Sequence, residues 1–574
     1  MTPIRLCLLW HQHQPYYRSG DQFKMPWAWL HATKDYLEMA QHFEEHPEMR
    51  GTINLVPSLL KQLQEYISGD AFDPIVLLMS KPAADLTKKE KALMLERFFD
   101  ANRERAIEPS PRYAELFQTA HEPNASAIFE AQDYLDLAVH FSLAWTGEIA
   151  RNREPFASLL LKDRNYTEAE KQSLAKAQLE NVRAIIPLHK KLAENKQVEL
   201  TTTPFYHPIL PLLCDTSVAH EAMPDAALPH NRFRAPEEAD NQLARARTFF
   251  QEEVGINPTG MWPSEGSISK EALALIRKNG FAWAASDEAV LANSLDGKST
   301  QAGAFEIRPE HARFFPWRIE TPNGEIAVFF RDHGLSDDIG FRYSSWDAMQ
   351  AVDHFTQNVL NIRSTLIEAY GEDVLKLACV PVILDGENCW EYYPENGFAF
   401  LNELYSRMTN VPEIVPTTFS EVLAGGIQEI LPILPRLVAG SWINANFRIW
   451  IGHEEDNTSW DALYTAKAAY DRAKEKAMTL TGEERKTAFA NINAAHEELM
   501  IAEGSDWNWW YGDENFTAQK DLFDELYRSH LRNVYERLDL SVPKDLTKPI
   551  ADRFSNNSHT EKPKSSAMHR ATDS

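Results

Sequence analysis

Two acidic side chains stand at positions where a chain could hand them to a substrate. Glu265 lies in Thr259-Gly260-Met261-Trp262-Pro263-Ser264-Glu265-Gly266-Ser267, an apolar run that stops at a proline unable to continue a ladder, with a glycine beyond it that admits close approach. Asp385 ends the run Pro381-Val382-Ile383-Leu384 and is followed by Gly386, Glu387 and Asn388. Acids presented this way suit cleavage of a glycosidic bond, in which one attacks as nucleophile and the other donates a proton; the retaining version needs them about 5 to 5.5 Å apart. Trp390 and Cys389 would raise the pKa of Asp385, while Ser264 and Ser267 would help Glu265 stay ionised. Glu387, two residues from Asp385 and on the same side of an extended chain, is the rival acid. His11 and His13 share a side for the same reason. With His207 and a carboxylate they could bind a divalent metal that activates water, or they could bond sugar hydroxyls. Asp332 and His333 follow another apolar run, and Trp262, Trp390 and Trp510 are candidate stacking surfaces beside Asp506.

The elements that must present these groups are short apolar runs: residues 4–10, 51–56, 197–203, 258–263, 281–286, 325–331 and 377–384. Most are separated by helical patterns, at 35–46, 238–254, 268–279 and 346–369. Alternation over the first 400 residues predicts a parallel α/β barrel with every run ending on one rim. Pro322-Asn323-Gly324 predicts a hairpin leading into the run at 325. No glycine-rich phosphate loop follows the first run, which argues against a dinucleotide-binding open sheet. A helical insertion is expected at 67–196, a C-terminal helical domain at 401–545, with helices at 459–478, 482–504 and 517–537, and a disordered tail at 546–574.

Composition narrows the partners. The 574 residues carry a formal charge of -26, which repels nucleic acid and anionic lipid. Four scattered cysteines, Cys7, Cys214, Cys379 and Cys389, predict free thiols and no structural zinc. No stretch has the signature of a secretory leader or a membrane span, so a cytoplasmic protein is expected. Fifteen tryptophans, several beside Gly, Pro or acidic residues, favour a ligand with flat apolar faces, as sugars have.

Five stretches in order carry a resemblance: HQHQPY at 11–16, TTPFYHPILPLL at 202–213, GMWPSEGSIS at 260–269, VILDGENCWEYYPENG at 382–397 and AEGSDWNWWYG at 502–512. They resemble the motifs of glycoside hydrolase family 57. WLHATKDY at 29–36, FFRDHGLSDDIGFRY at 329–343 and GSWINANFRIWIGHEEDN at 440–457 are similar to its amylopullulanase and α-amylase branch. The resemblance implies an incomplete (β/α)7 barrel, a C-terminal helical domain and retaining hydrolysis or transfer on α-1,4-glucans, without cofactor or metal. By position Glu265 would be the nucleophile and Asp385 the general acid/base. His11, His13, His207 and Asp506 would line the adjoining subsite, between Trp262 and Trp510.

Overall fold

Runs sealed from water on both faces become parallel strands. The computed structural model describes residues 2–424 and 426–551 and the backbone of the short strand His569–Arg570. Its parallel strands are β1 (Ile4–Gln12), β2 (Gly51–Leu55), β3 (Val198–Thr201), β4 (Gly260–Met261), β5 (Trp283–Asp287), β6 (Gly324–Arg331) and β7 (Cys379–Asp385). β1 pairs with β7 along one edge and with β2 on the other, where Ile414–Pro416 pairs with its first residues; β2 pairs with β3. β4, β5 and β6 form a second parallel run. A bridge between Thr202 and Met261 joins the two runs, and at the other seam the Asp332 N–H donates to the Pro381 carbonyl at 2.8 Å. The strands therefore follow one another in chain order around an incomplete (β/α)7-type barrel.

The incompleteness has a local cause. Trp317–Thr321 turns at Pro322-Asn323 and pairs antiparallel with residues 324–328, the hairpin the sequence predicts. That strand occupies the edge of β6 that would otherwise pair with β7, so only the last turn of chain reaches across. β4 is shorter than the run at 258–263 because Pro263 has no N–H to offer. Its Gly260 is fixed by packing: a Cβ there would sit 1.9 Å from Cε2 of the Trp283 ring.

Helices fill the interval between β2 and β3, ending in the long Glu168–Glu194. Others, among them Pro236–Val254, Lys270–Lys278 and Ala348–Tyr370, lie between later strands. After β7 come α1 (Glu454–Met478), α2 (Gly482–Ala502) and α3 (Lys520–Arg537), which pack on one another. The expectation of a disordered tail from 546 needs correcting at its start. Leu546, Ile550 and Ala551 are buried, and the N–H groups of Ile550 and Ala551 donate to the Asp524 carboxylate on α3. Apart from the backbone of residues 569–570, the remainder of that stretch lies outside the described residues. All four cysteines are free and buried, and among the described residues no helix is long and apolar enough to cross a membrane.

Overpacking at the β4–β5 contact should be felt by the whole barrel. Gly260→Ala is expected to lower unfolding stability by about 3 kcal/mol, read from chemical denaturation, because the ring it meets belongs to a core strand.

Candidate active site

Three imidazoles meet at the rim where the strands end. His11 is the last residue but one of β1, His13 follows the strand, and His207 comes from the loop after β3, held at φ 59°. The His13 and His207 rings stack at 3.9 Å and 17°, and His11 lies 5.4 Å from His207. Each ring is tied down from a different direction. His11 Nδ1 bonds Asn54 Oδ1 at 2.7 Å, His207 Nδ1 bonds Ser505 Oγ at 2.9 Å, and His13 Nε2 bonds Asp506 Oδ1 at 2.8 Å. Burial and the neighbouring His13 push the pKa of His11 down to about 3. Burial and both neighbours hold His207 well below its ordinary value. These two imidazoles are neutral at physiological pH, able to donate at one nitrogen and accept at the other.

His13, His207 and Asp506 offer ligand atoms within 4.8 Å of one another. The donor set does not fit an ion. A metal lies near the plane of each imidazole that binds it, at about 2.0 to 2.1 Å for zinc, and two stacked rings only 17° from parallel cannot both aim a lone pair at one point.

Glu265 faces this stack. It sits in a tight turn at φ 56°, a left-handed conformation that costs a non-glycine residue of order 1–3 kcal/mol and is typical of functional sites. Its Oε1 lies 3.9 Å from His207 Nδ1. Trp442 grips it twice: the indole N–H donates to Oε2 at 2.7 Å and the backbone N–H donates to the Glu265 carbonyl at 2.9 Å. Trp442 is itself backed by the Arg331 guanidinium, 5.2 Å from its ring centre, and Arg331 is held by Asp337 at 2.6 Å and Asp287 at 3.5 Å. Arg331 and Asp287 are the last residues of β6 and β5.

Asp385 approaches from β7, where it is the register partner of His11. The Gly386 N–H donates to the His11 carbonyl at 2.6 Å, and the Asn388 amide donates to Asp385 Oδ2 at 2.9 Å. Glu387 is buried beside it and accepts the His13 N–H at 3.1 Å. Burial, reinforced by the Asp385 charge, raises the Glu387 pKa well above the carboxylate range, so this rival acid holds its proton and its place in the wall. The groups open to solvent are few. Side chains of Glu265, His13 and Asp506 are 14%, 11% and 13% exposed, and Asp385 is half-buried.

Residues 7–429 match the profile of glycosyl hydrolase family 57. The chain belongs to that family. Its fold resembles the family 57 branching enzyme of Thermococcus kodakaraensis, with a TM-score of 0.57 and 16% identity over 93% of this chain and 90% of that one. It also resembles the α-amylase AmyC of Thermotoga maritima, with a TM-score of 0.56 and 15% identity over 95% of each chain. No curated protein sequence matches it.

Within this family 57 chain, the structure assembles some of the expected site residues and diverts others. Glu265, Asp385, His11, His13, His207, Glu387 and Asp506 converge. Asp332 does not join them: it caps the helix His333–Asp337 through the Leu335 N–H and accepts from Arg313 Nε, each at 2.8 Å. His333 bonds Asp287 and Asp337, the same acids that hold Arg331, and so belongs to the support behind Trp442. Trp390, expected as a sugar contact, is fully buried between Trp10 and Tyr393 and ties down the loop after β7 by donating to the Gly386 carbonyl. Trp510 is buried against Phe523, and Trp262 is buried between His11 and Trp442. Neither presents an open face for stacking, because loops and the C-terminal helices cover the rings.

Buried polar atoms without a protein partner cluster at the same place: both amide atoms of Gln12, His207 Nε2, Trp262 Nε1, Ser264 Oγ and Glu387 Oε2. Such atoms are rare in a finished interior, and a ligand rich in hydroxyls would satisfy them. Trp442 is the residue sequence reasoning passes over. Its signal is a tryptophan after Gly440-Ser441 in a stretch with neither strand nor helix periodicity. A Cβ at Gly440 would lie 2.6 Å from the Ala445 carbonyl, so the loop closes on itself and points the indole at Glu265.

Two outcomes are expected. Trp442→Phe keeps the ring but removes the donor, and should lower kcat by roughly 10- to 100-fold with a smaller change in KM. His333, raised to about 10 by its bonds to Asp287 and then Asp337, adds stability that is complete below pH 6.5 and vanishes as pH rises through 10. The melting-temperature gap between wild type and His333→Gln should therefore close between those values. Because His333 is partly exposed, the gap should correspond to less than about 1 kcal/mol.

Proposed function

We propose that this chain is a retaining enzyme of α-1,4-glucans such as maltodextrin, glycogen or starch, of the α-amylase or amylopullulanase type, with Glu265 as nucleophile and Asp385 as general acid/base. The observation that carries the reading is the placement of two accessible carboxylates beside one imidazole stack: Glu265 by His207, and Asp385 opposite His11 on the neighbouring strand. A glucose ring seated at the stack would meet imidazole nitrogens on one side, those of His11 and His207 neutral, and an acid at each end of the reacting bond.

Each residue then has a task. Trp442 and Ser264-Gly266 fix Glu265, the indole bond to Oε2 setting the direction from which the carboxylate attacks the anomeric carbon. Asp385 protonates the leaving oxygen, and after departure takes a proton from the incoming water. Protonated Glu387 keeps a second negative charge out of the wall beside Asp385. His11, His13, His207 and Asp506 hold the sugar hydroxyls, the orphaned His207 Nε2 among them.

The same covalent intermediate serves 4-α-glucanotransfer or branching if a sugar hydroxyl replaces water. The solved branching enzyme supports keeping this second reading. The experiment is one incubation with maltoheptaose: shorter products alone mean hydrolysis, and longer products mean transfer. Glu265→Gln should reduce turnover at least about 10⁴-fold, and azide should restore part of it in Glu265→Ala by taking the place of the missing carboxylate. Retention of more than a tenth of wild-type turnover by Glu265→Gln would remove Glu265 from the mechanism. Activity that tracks a stoichiometric bound metal would instead favour metal-activated water.

A further inference from the structure

The segment after β6 carries a surface that the reacting site does not use. Phe341, Trp346 and Met349 are 61%, 36% and 50% exposed, three large apolar side chains within nine positions of one another. Isolated exposed apolar residues are ordinary, but a contiguous group beside a cleft marks a binding surface. Because β6 ends at Arg331, residues 332–346 rise from the same rim as Asp385.

Their seat is the outer face of the strand that carries Asp385, at its rim end. A Cβ on Gly340 would lie in contact with Leu384, the residue before Asp385, 3.9 Å from its Cδ1. Tyr393, from the loop after Asp385, donates its hydroxyl to the Ile339 carbonyl at 2.6 Å. The turn Tyr343–Ser345 rests against the turn Trp390–Tyr392. The backbone from 338 to 342 is wound as a π-turn, a form that occurs mostly at functional positions. The Arg342 guanidinium lies over Trp346, 4.9 Å from the ring centre, anchored by Asp338 at 3.2 Å and nearly half exposed.

We propose that Phe341, Trp346 and Arg342 form an outer subsite on the leaving-group side, where an α-glucan chain runs out of the cleft with a sugar face on an aromatic ring and its hydroxyls on the guanidinium. This rests on the α-glucan reading above and extends it to chain length. A rim that joins apolar faces to a donor-rich cation matches a polyhydroxylated chain better than a second protein surface. Its continuity with the Asp385 loop makes the leaving chain its occupant.

The test compares substrates that do and do not reach so far. For Phe341→Ala and Trp346→Ala, kcat/KM is measured on maltoheptaose and on maltotriose. Each substitution should lower the ratio of the two about tenfold, as loss of a stacking contact would, and Phe341→Tyr should restore it. Phe341 is mostly exposed, so its truncation tests binding and not folding. A wild type active on both sugars, with ratios unchanged in both variants, overturns the subsite alone. Unchanged ratios accompanied by a fall in mass by light scattering assign the patch to contact between copies, which also overturns it. A wild type inert on every glucan sinks the functional reading and the subsite together.

Discussion

The site depends on a stack of three touching imidazoles in which His11 and His207 are kept uncharged. Rings at 3.9 and 5.4 Å could not all be protonated without strong mutual repulsion, and burial removes the water that would screen it. His11 and His207 are accordingly held neutral, and their orientations come from Asn54 and Ser505. The partners lie on β2 and just beyond α2, so the stack is fixed only when barrel and C-terminal helices are both in place. Removing Asn54 or Ser505 would leave a buried imidazole nitrogen unpaired, which is more costly than the bond itself is favourable.

A second constraint keeps Glu265 where the stack can use it. Its left-handed backbone is uphill on its own, and the two bonds from Trp442 offset that. Behind the indole stands a chain of charges, Arg331 between Asp287 and Asp337, with His333 bonded to the same two acids. Arg331 is buried and doubly paired, the condition under which an interior charge is tolerated. Rigid strand ends thus reach the Glu265 carboxylate through one aromatic side chain.

Much of the barrel was legible because it rests on period and length alone. Every predicted apolar run became a parallel strand, and the Pro322-Asn323-Gly324 hairpin appeared at its expected turn. The carboxylates and histidines were legible because strand ends aim at one rim. What failed was the assignment of partners. Asp332 follows a strand as Asp385 does, yet its carboxylate caps a helix and pairs with Arg313, a residue whose proximity no local pattern announces. Trp390 and Trp510 look like stacking surfaces in sequence, but whether a ring faces a cleft or a core is decided by long-range packing. Trp442 was invisible for the same reason, since its role comes from a loop that folds back across 177 positions.

The position of Ser505 and Asp506 has a consequence for how this protein comes into being. They follow the rings they secure, His207 and His13, by 298 and 493 positions. A nascent chain on the ribosome can therefore complete all seven strands and both carboxylates while its sugar pocket still lacks a wall. The pocket is closed only once the segment beyond α2 has been made, so a polypeptide stopped before it holds Glu265 and Asp385 without two of the side chains that fix the imidazoles.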